Sequence, residues 1–169
     1  LDHLERAVAS VVAQVADGAA DVELLLVDDA SPDFDPHGFA LRNAPGRITV
    51  LRADHHRGIA ANWNAGLAAA RGRWVHLLHQ DDWVLPGFYA ALADGARADP
   101  RVAAAFCAAR YVEPDGRDWT PRLVPMITPG VLTDWQTHVF VRLAIQCSAI
   151  VVRRDVYETL GGFDPGLRY

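Results

Sequence analysis

The 169 residues carry a net charge of −5, are 51% apolar and only 22% charged, which bounds one domain with a substantial core. That balance excludes intrinsic disorder and a broad nucleic-acid footprint, and no Lys/Arg run forms a basic membrane patch. Neither a signal-peptide pattern nor an apolar run long enough to span a bilayer occurs, which sets the expectation of a cytoplasmic location.

In chain order, residues 1–16 predict a helix. Leu1, Leu4, Val8, Val11, Val12 and Val15 fall on one face, and Asp17-Gly18 ends it. Residues 22–27 predict a strand, nearly all apolar and hence central and parallel. It runs into Asp28-Asp29-Ala30-Ser31-Pro32, where Ser31 and Pro32 turn the chain. Residues 33–46 read as a short, poorly formed helix and a loop, with a short strand at 48–51. The polar loop Asp54 to Gly58 leads into a helix from Ile59 to Ala70, closed by Arg71-Gly72. Residues 74–78 fit a buried strand that stops on His79-Gln80-Asp81-Asp82. Pro86 opens a helix reaching Arg97, and 102–108 is a uniformly apolar strand. Tyr111 to Trp119 reads as a hairpin around Pro114-Asp115-Gly116. Pro121, Pro125, Pro129 and Gly130 break up 120–146, with helix expected at 134–143. A strand at 148–152 and a helix at 154–160 follow, the helix ended by Gly161-Gly162 with Phe163 tucked back as an anchor. Cys107 and Cys147 lie far apart in apolar surroundings, without metal-site spacing, and read as core thiols. Alternating strands and helices mark a layered α/β sheet.

Two acidic pairs thus close two different apolar strands. If the sheet is parallel, both pairs lie on the edge beyond the strands' carboxyl ends, where open α/β sheets bind ligands. Carboxylates beside a sheet core need compensation. Mg²⁺ supplies it, being held by one or two carboxylates together with substrate phosphates. Between the pairs in sequence sit His55, His56, Arg57 and Gly58, then Asn62 and Asn64. A nucleoside diphosphate held through a metal suits such a set. One carboxylate accepts from a base N–H, another from ribose hydroxyls, and a third binds a metal that offsets charge on a leaving diphosphate. The structural alternative stands beside each feature. An acidic pair also opens a turn, an amide at a helix start satisfies backbone groups, and Trp63, Trp74, His55, His56 and His76 fit packing or surface positions.

The sequence resembles the family 2 glycosyltransferases, inverting enzymes of the GT-A fold. Leu4-Glu5-Arg6-Ala7 with Ser10-Val11 and Gln14 resembles their first helix. Leu26-Val27-Asp28-Asp29-Ala30-Ser31-Pro32-Asp33 resembles the motif VVDDGSTD. Gly58-Ile59-Ala60-Ala61-Asn62-Trp63-Asn64, with Gly66-Leu67 and Ala70-Arg71-Gly72, resembles the segment before the metal motif. Leu77-Leu78-His79-Gln80-Asp81-Asp82 resembles the DXD-type region, with His79 where many relatives have Asp. Arg153-Arg154 and Gly161-Gly162-Phe163-Asp164 resemble the stretch before the catalytic base.

The resemblance implies a Rossmann-like three-layer sandwich with a mostly parallel central sheet. It implies one domain over 1–169, with a nucleotide-binding half at 1–108 and the start of an acceptor-side half from 109. The first strand is expected upstream of this sequence and the base-bearing segment downstream of Tyr169. The base is therefore unassigned, and Asp164 is not promoted to that role. By position, Asp29 contacts a uracil or thymine base, Asp81 lies near ribose and diphosphate, and Asp82 binds Mg²⁺ or Mn²⁺. Arg57 lies near the base, Asn64 is a further nucleotide-binding candidate, and Gln146-Cys147-Ser148 faces sugar and acceptor. Trp83 is a candidate for the sugar pocket, and Trp135 and His138 for the acceptor side. The implied reaction transfers a sugar from a UDP- or dTDP-linked donor to a hydroxyl of a saccharide or lipid-linked acceptor. Such enzymes of polysaccharide biosynthesis often act at the inner face of the membrane. A non-catalytic nucleotide-sugar-binding relative and a nucleotidyltransferase are the alternatives. The second normally carries a Gly-rich loop with a basic residue, which this sequence does not show.

Overall fold

The computed structural model describes residues 1–16, 21–97, 99–119, 128–142 and 144–166. Its elements run α1 (Asp2–Ala16), β1 (Leu24–Asp28), α2 (Pro36–Asn43), β2 (Ile48–Arg52), α3 (Ile59–Ala69), β3 (Trp74–His76), α4 (Phe88–Arg97), β4 (Ala104–Phe106), β5 (Ile150–Arg153) and α5 (Arg154–Leu160). A π-helical turn at Thr137–Val141 and a 3₁₀ turn at Cys147–Ala149 precede β5. The expected stop at Asp17-Gly18 and the prolines 121 and 125 lie outside the described residues. So does Tyr169, the residue beyond which the catalytic base is expected.

β1 and β2 pair in parallel, from Leu24 opposite Ile48 to Asp28 opposite Arg52. Parallel neighbours require a crossover, and α2 supplies it. This helix is better formed than the expected poor helix and loop. Asp35 caps it, its carboxylate accepting from the Gly38 amide at 2.9 Å, and Pro36 occupies its first turn. Phe39 then buries completely, its ring 5.8 Å from that of Phe34.

The other ladder has the order β3-β5-β4, with β5 antiparallel to both neighbours. β3 and β4 therefore share a direction, and β5 is the reversed strand between them. Val151 of β5 packs with Leu92 of α4 and Ala105 of β4, flanked by Trp74, Phe88, Ala96 and Cys107. The β3 ladder ends at His76 opposite Val151, so the strand expected at 74–78 is shorter. Its partner strand turns away at Cys147–Ala149 instead of continuing alongside Leu77 and Leu78. The helix expected from Pro86 starts at Phe88 instead, because Gly87 takes a φ of +84° and keeps 86–87 in a turn. The helix expected over 134–143 is present as a short helical stretch over 135–141, π-helical from Thr137 to Val141, with the Arg142 amide bonded to the Thr137 carbonyl at 3.0 Å.

The strand expected at 102–108 contracts to Ala104–Phe106 and the one at 148–152 to Ile150–Arg153, while the turns match the expectations. Val112 bridges Asp118 around a turn closed by Gly116, whose amide donates to the Glu113 carbonyl at 2.8 Å. Gly161, at a φ of +84°, caps α5. Phe163 folds back, its ring 4.9 Å from Trp63 and 5.9 Å from Tyr157. Both cysteines are free and half-buried, and burial pushes their thiols up. No helix among the described residues is long and apolar enough to cross a membrane.

Candidate donor and metal site

Successive residues of a strand point to opposite faces, and the first acidic pair divides accordingly. Asp28, 5% exposed, lies opposite Arg52 in the ladder and pairs with its guanidinium at 3.1 Å. It also accepts from the Ser31 amide at 3.2 Å. Arg52 in turn donates to the carbonyls of Phe34 (2.7 Å) and Ser31 (3.1 Å), so this pair fixes the loop after β1. Asp29 faces the other way, toward the start of α3. It accepts from the amides of Arg57 and Gly58, both at 2.9 Å, and its Oδ2 lies 2.8 Å from His56 Nδ1. The Arg57 Nε stands 3.6 Å away. Burial pushes the Asp29 carboxyl up, but the Arg57 and Gly58 amides, with His56 and the Arg57 guanidinium, outweigh it and hold the group below its ordinary value. Between these acids and Pro32, Ala30 sits at a φ of +61°, a left-handed conformation that disfavours any residue with a Cβ.

The second acidic pair closes a tight turn, the Asp82 amide donating to the His79 carbonyl at 3.2 Å. His79, Asp81 and Asp82 each present a ligand atom, and all three atoms lie within 4.8 Å of one another. His79 Nδ1 is 3.7 Å from Asp82 Oδ2, while its Nε2 is buried without a hydrogen-bond partner. The Trp63 ring stacks on His79 at 5.3 Å and 16°. Ser148, on the 3₁₀ turn before β5, donates its hydroxyl to Asp82 Oδ2 at 2.5 Å. Behind it, His76 Nε2 is 3.1 Å from the Ser148 carbonyl and Nδ1 is 3.2 Å from the Tyr89 hydroxyl. A carbonyl only accepts, so Nε2 carries the proton and Tyr89 donates to Nδ1. Burial holds His76 below its ordinary value and pushes the Tyr89 phenol up to about 12, which suits both roles.

α3 ties the two acidic strand ends together. The Gly58 amide, just before the helix, holds Asp29, Asn62 donates to the Val27 carbonyl at 3.2 Å, and Trp63 covers His79. Gly66 lies so close to β1 that a Cβ there would meet Val27 Cγ2 at 3.1 Å. From the other side, Arg6, Ser10 and Gln14 form one stripe of α1 at four-residue spacing. Arg6 lies 3.3 Å over the Trp83 ring, Ser10 Oγ accepts from the Val84 amide at 3.1 Å, and Gln14 Oε1 accepts from the Tyr89 amide at 3.3 Å. These contacts anchor the chain that leaves the acidic turn.

Of the residues singled out from sequence, Asp29 and Arg57 meet at the end of β1, and Asp81 and Asp82 meet at the end of β3. Asn64 faces neither group. Its amide donates to the Phe163 carbonyl at 2.7 Å and its carbonyl accepts from the Phe163 amide at 2.8 Å. Asp164 accepts from the Gly166 amide at 2.8 Å and caps a turn. His138, on the π-helical turn, pairs with Asp134 at 3.4 Å. Sequence reasoning missed His56 as a partner of Asp29 and Ser148 as the partner of Asp82.

The family model for glycosyl transferase family 2 matches residues 1–161. The succinoglycan biosynthesis protein ExoO of Rhizobium meliloti (strain 1021) is 41% identical over 85 residues, which is 50% of this chain and 23% of that protein. The O-antigen biosynthesis protein RfbC of Myxococcus xanthus is 34% identical over 168 residues, 96% of this chain and 12% of that protein. The chain therefore spans less than a quarter of either relative. Among solved structures, S. aureus TarS 1-349 superposes with a TM-score of 0.67 at 15% identity, over 99% of this chain and 49% of that one. The mannosyltransferase PcManGT from Pyrobaculum calidifontis, in complex with GDP-Man and Mn²⁺, gives 0.58 at 20% identity, over 94% of this chain and 44% of that one. Those likenesses show an α/β fold of the GT-A type, and on the family match the chain belongs to glycosyl transferase family 2.

Proposed function

We propose that this chain builds the donor side of an inverting glycosyltransferase that moves a sugar from a UDP- or dTDP-linked donor to an acceptor hydroxyl. The observation that carries the reading is the gathering of His79, Asp81 and Asp82 within 4.8 Å. Two carboxylates and one imidazole, whose Nδ1 lies 3.7 Å from Asp82 Oδ2, fit a divalent ion of the Mn²⁺ or Mg²⁺ kind. Asp82 and His79 would hold it, and Asp81 lies beside ribose and diphosphate. Bound there, such an ion supplies Lewis-acid compensation for charge growing on the departing diphosphate.

The rest is done by the chain's own groups. A carboxylate offers about four lone-pair directions, and at Asp29 the Arg57 amide, the Gly58 amide and His56 occupy three. The Arg57 guanidinium, at 3.6 Å, is at ion-pair rather than hydrogen-bond distance, so one acceptor direction remains. Uracil and thymine present a single imide N–H, whereas guanine presents two adjacent donors, so the site favours UDP or dTDP. Arg57 adds positive charge beside the base. Asn64 is outside this reading because its amide is engaged by Phe163. Inversion requires a base on the face opposite the diphosphate, and no residue up to Tyr169 is assigned to it. Names of relatives in succinoglycan and O-antigen biosynthesis support a saccharide acceptor.

Calorimetric titration of UDP, dTDP and GDP, with and without Mn²⁺, into wild type and Asp82→Asn tests this. Metal-dependent binding of UDP or dTDP that collapses in Asp82→Asn is expected. Binding that ignores the metal, or is unchanged in the variant, removes Asp82 from its role. Preference for GDP overturns the single-acceptor argument at Asp29.

A further inference from the structure

We propose that Ser148 is a positioning residue for Asp82: its hydroxyl holds one oxygen of that carboxylate and so aims the remaining lone pairs at the cluster with His79 and Asp81. The proposal rests on the metal reading above and adds to it a group that lies 66 residues away in sequence.

A serine hydroxyl has one hydrogen to give and two lone pairs to receive. The His79 amide, 3.4 Å from Ser148 Oγ, only donates, so it takes a lone pair. Asp82 Oδ2, at 2.5 Å, receives the hydrogen. The direction of the hydroxyl is thus set from two sides. Its backbone is set as well, because the Nε2–H of His76 holds the Ser148 carbonyl and Tyr89 holds the far side of that ring. His76 belongs to β3 and Tyr89 to α4. Val151 lies opposite His76 in the ladder, which places the turn at Cys147–Ala149 directly before β5 beside the acidic turn. Asp82 by itself is half-exposed at 48% of its side chain and has two rotatable bonds. The hydroxyl restrains that freedom. Carboxylates that bind metals are ordinarily fixed by such an outer partner, and loss of the partner weakens metal affinity about 10- to 100-fold.

The test is Mn²⁺ binding to the full chain, followed by the electron paramagnetic resonance signal of the free ion, without donor or acceptor. Wild type, Ser148→Ala, Ser148→Thr, Ser148→Cys and Asp82→Asn are compared, with circular dichroism as the folding control. Ser148→Ala is expected to bind Mn²⁺ about 10- to 100-fold more weakly, and Ser148→Thr, which restores the hydroxyl, to recover most of that loss. Ser148→Cys keeps the shape with a poor donor and behaves like Ser148→Ala, and it decides the matter should the alanine variant not fold. Wild-type affinity in Ser148→Ala or Ser148→Cys overturns the proposal while leaving the metal site standing. No Mn²⁺ uptake by folded wild type removes the metal reading itself, and the role of Ser148 with it.

Discussion

Asn64 offers a clean separation of scaffold from ligand contact. Replacing it by alanine removes two hydrogen bonds, 2.7 Å and 2.8 Å long, that join α3 to the turn after α5 across 99 residues of sequence. At about 1 kcal/mol net for each, the change costs ~2 kcal/mol. In a chain of 169 residues, ~1 kcal/mol moves the melting temperature by about 2–4 °C, so Asn64→Ala should fall by roughly 4–8 °C. Gly162 gives an internal check. It sits at a φ of +78°, and a Cβ there would come within 2.4 Å of Asn64 Oδ1. Gly162→Ala in wild type therefore meets both backbone strain and a clash. In the Asn64→Ala background only the strain, ~1–2 kcal/mol, remains. The two changes together should cost less than their sum, as groups in contact do. Thermal unfolding by circular dichroism on the four proteins reads this, with UDP titration alongside. An unchanged melting temperature with weakened UDP binding would refute the strut and return Asn64 to the nucleotide.

Two further predictions concern the first acidic turn. Ala30→Gly relieves the left-handed strain at φ +61° and, after the extra chain entropy of glycine, should stabilise the fold by ~0.5–1 kcal/mol, measured by urea unfolding; a destabilised variant would mean the Ala30 methyl makes contacts that outweigh the strain. Asp29 has a folded value held below the ordinary one. Its contribution to stability is therefore complete above the ordinary carboxylate range and disappears as pH falls through the lowered value. The stability gap between wild type and Asp29→Asn should be widest at neutral pH and close as pH falls below the ordinary carboxylate range. A gap that is constant with pH would show that the charge is not what the amides hold.

Much of this was legible in the sequence because the signals are local. An apolar run ending on two carboxylates marks a strand and the turn after it, and both acidic turns were found that way. Gly161-Gly162 after an amphipathic turn marks a helix stop, and Phe163 does fold back. The Asp35-Pro36 start of α2 was also written in the sequence, as a cap followed by a first-turn proline, and could have been read. Other features have no local signature. Nothing near Ser148 says that β5 inserts between β3 and β4, and without that order its hydroxyl has no reason to meet Asp82. The same holds for His56, whose partner Asp29 is brought to it only when α3 docks on β1. Strand ends were overextended because apolar residues such as Leu77 and Leu78 continue past the point where the partner strand turns away.

The two acidic pairs look alike in sequence, yet their surroundings differ. Asp28 has Arg52 and the Ser31 amide. Asp29 has two backbone amides, His56 and Arg57. Around the second pair, Asp82 has the Ser148 hydroxyl and His79, and Asp81 makes no hydrogen bond or ion pair among the described residues. Among those residues no arginine is paired with either. Compensation is thus much greater at the end of β1, where Asp28 Oδ2 still has only the Arg52 ion pair, than at the end of β3, although the two are joined through α3. A base edge needs one open acceptor on an otherwise satisfied carboxylate, and a divalent ion needs carboxylates that nothing else has neutralised. That difference, more than the presence of four aspartates, is what supports the proposed placement of the base at the first turn and the metal at the second.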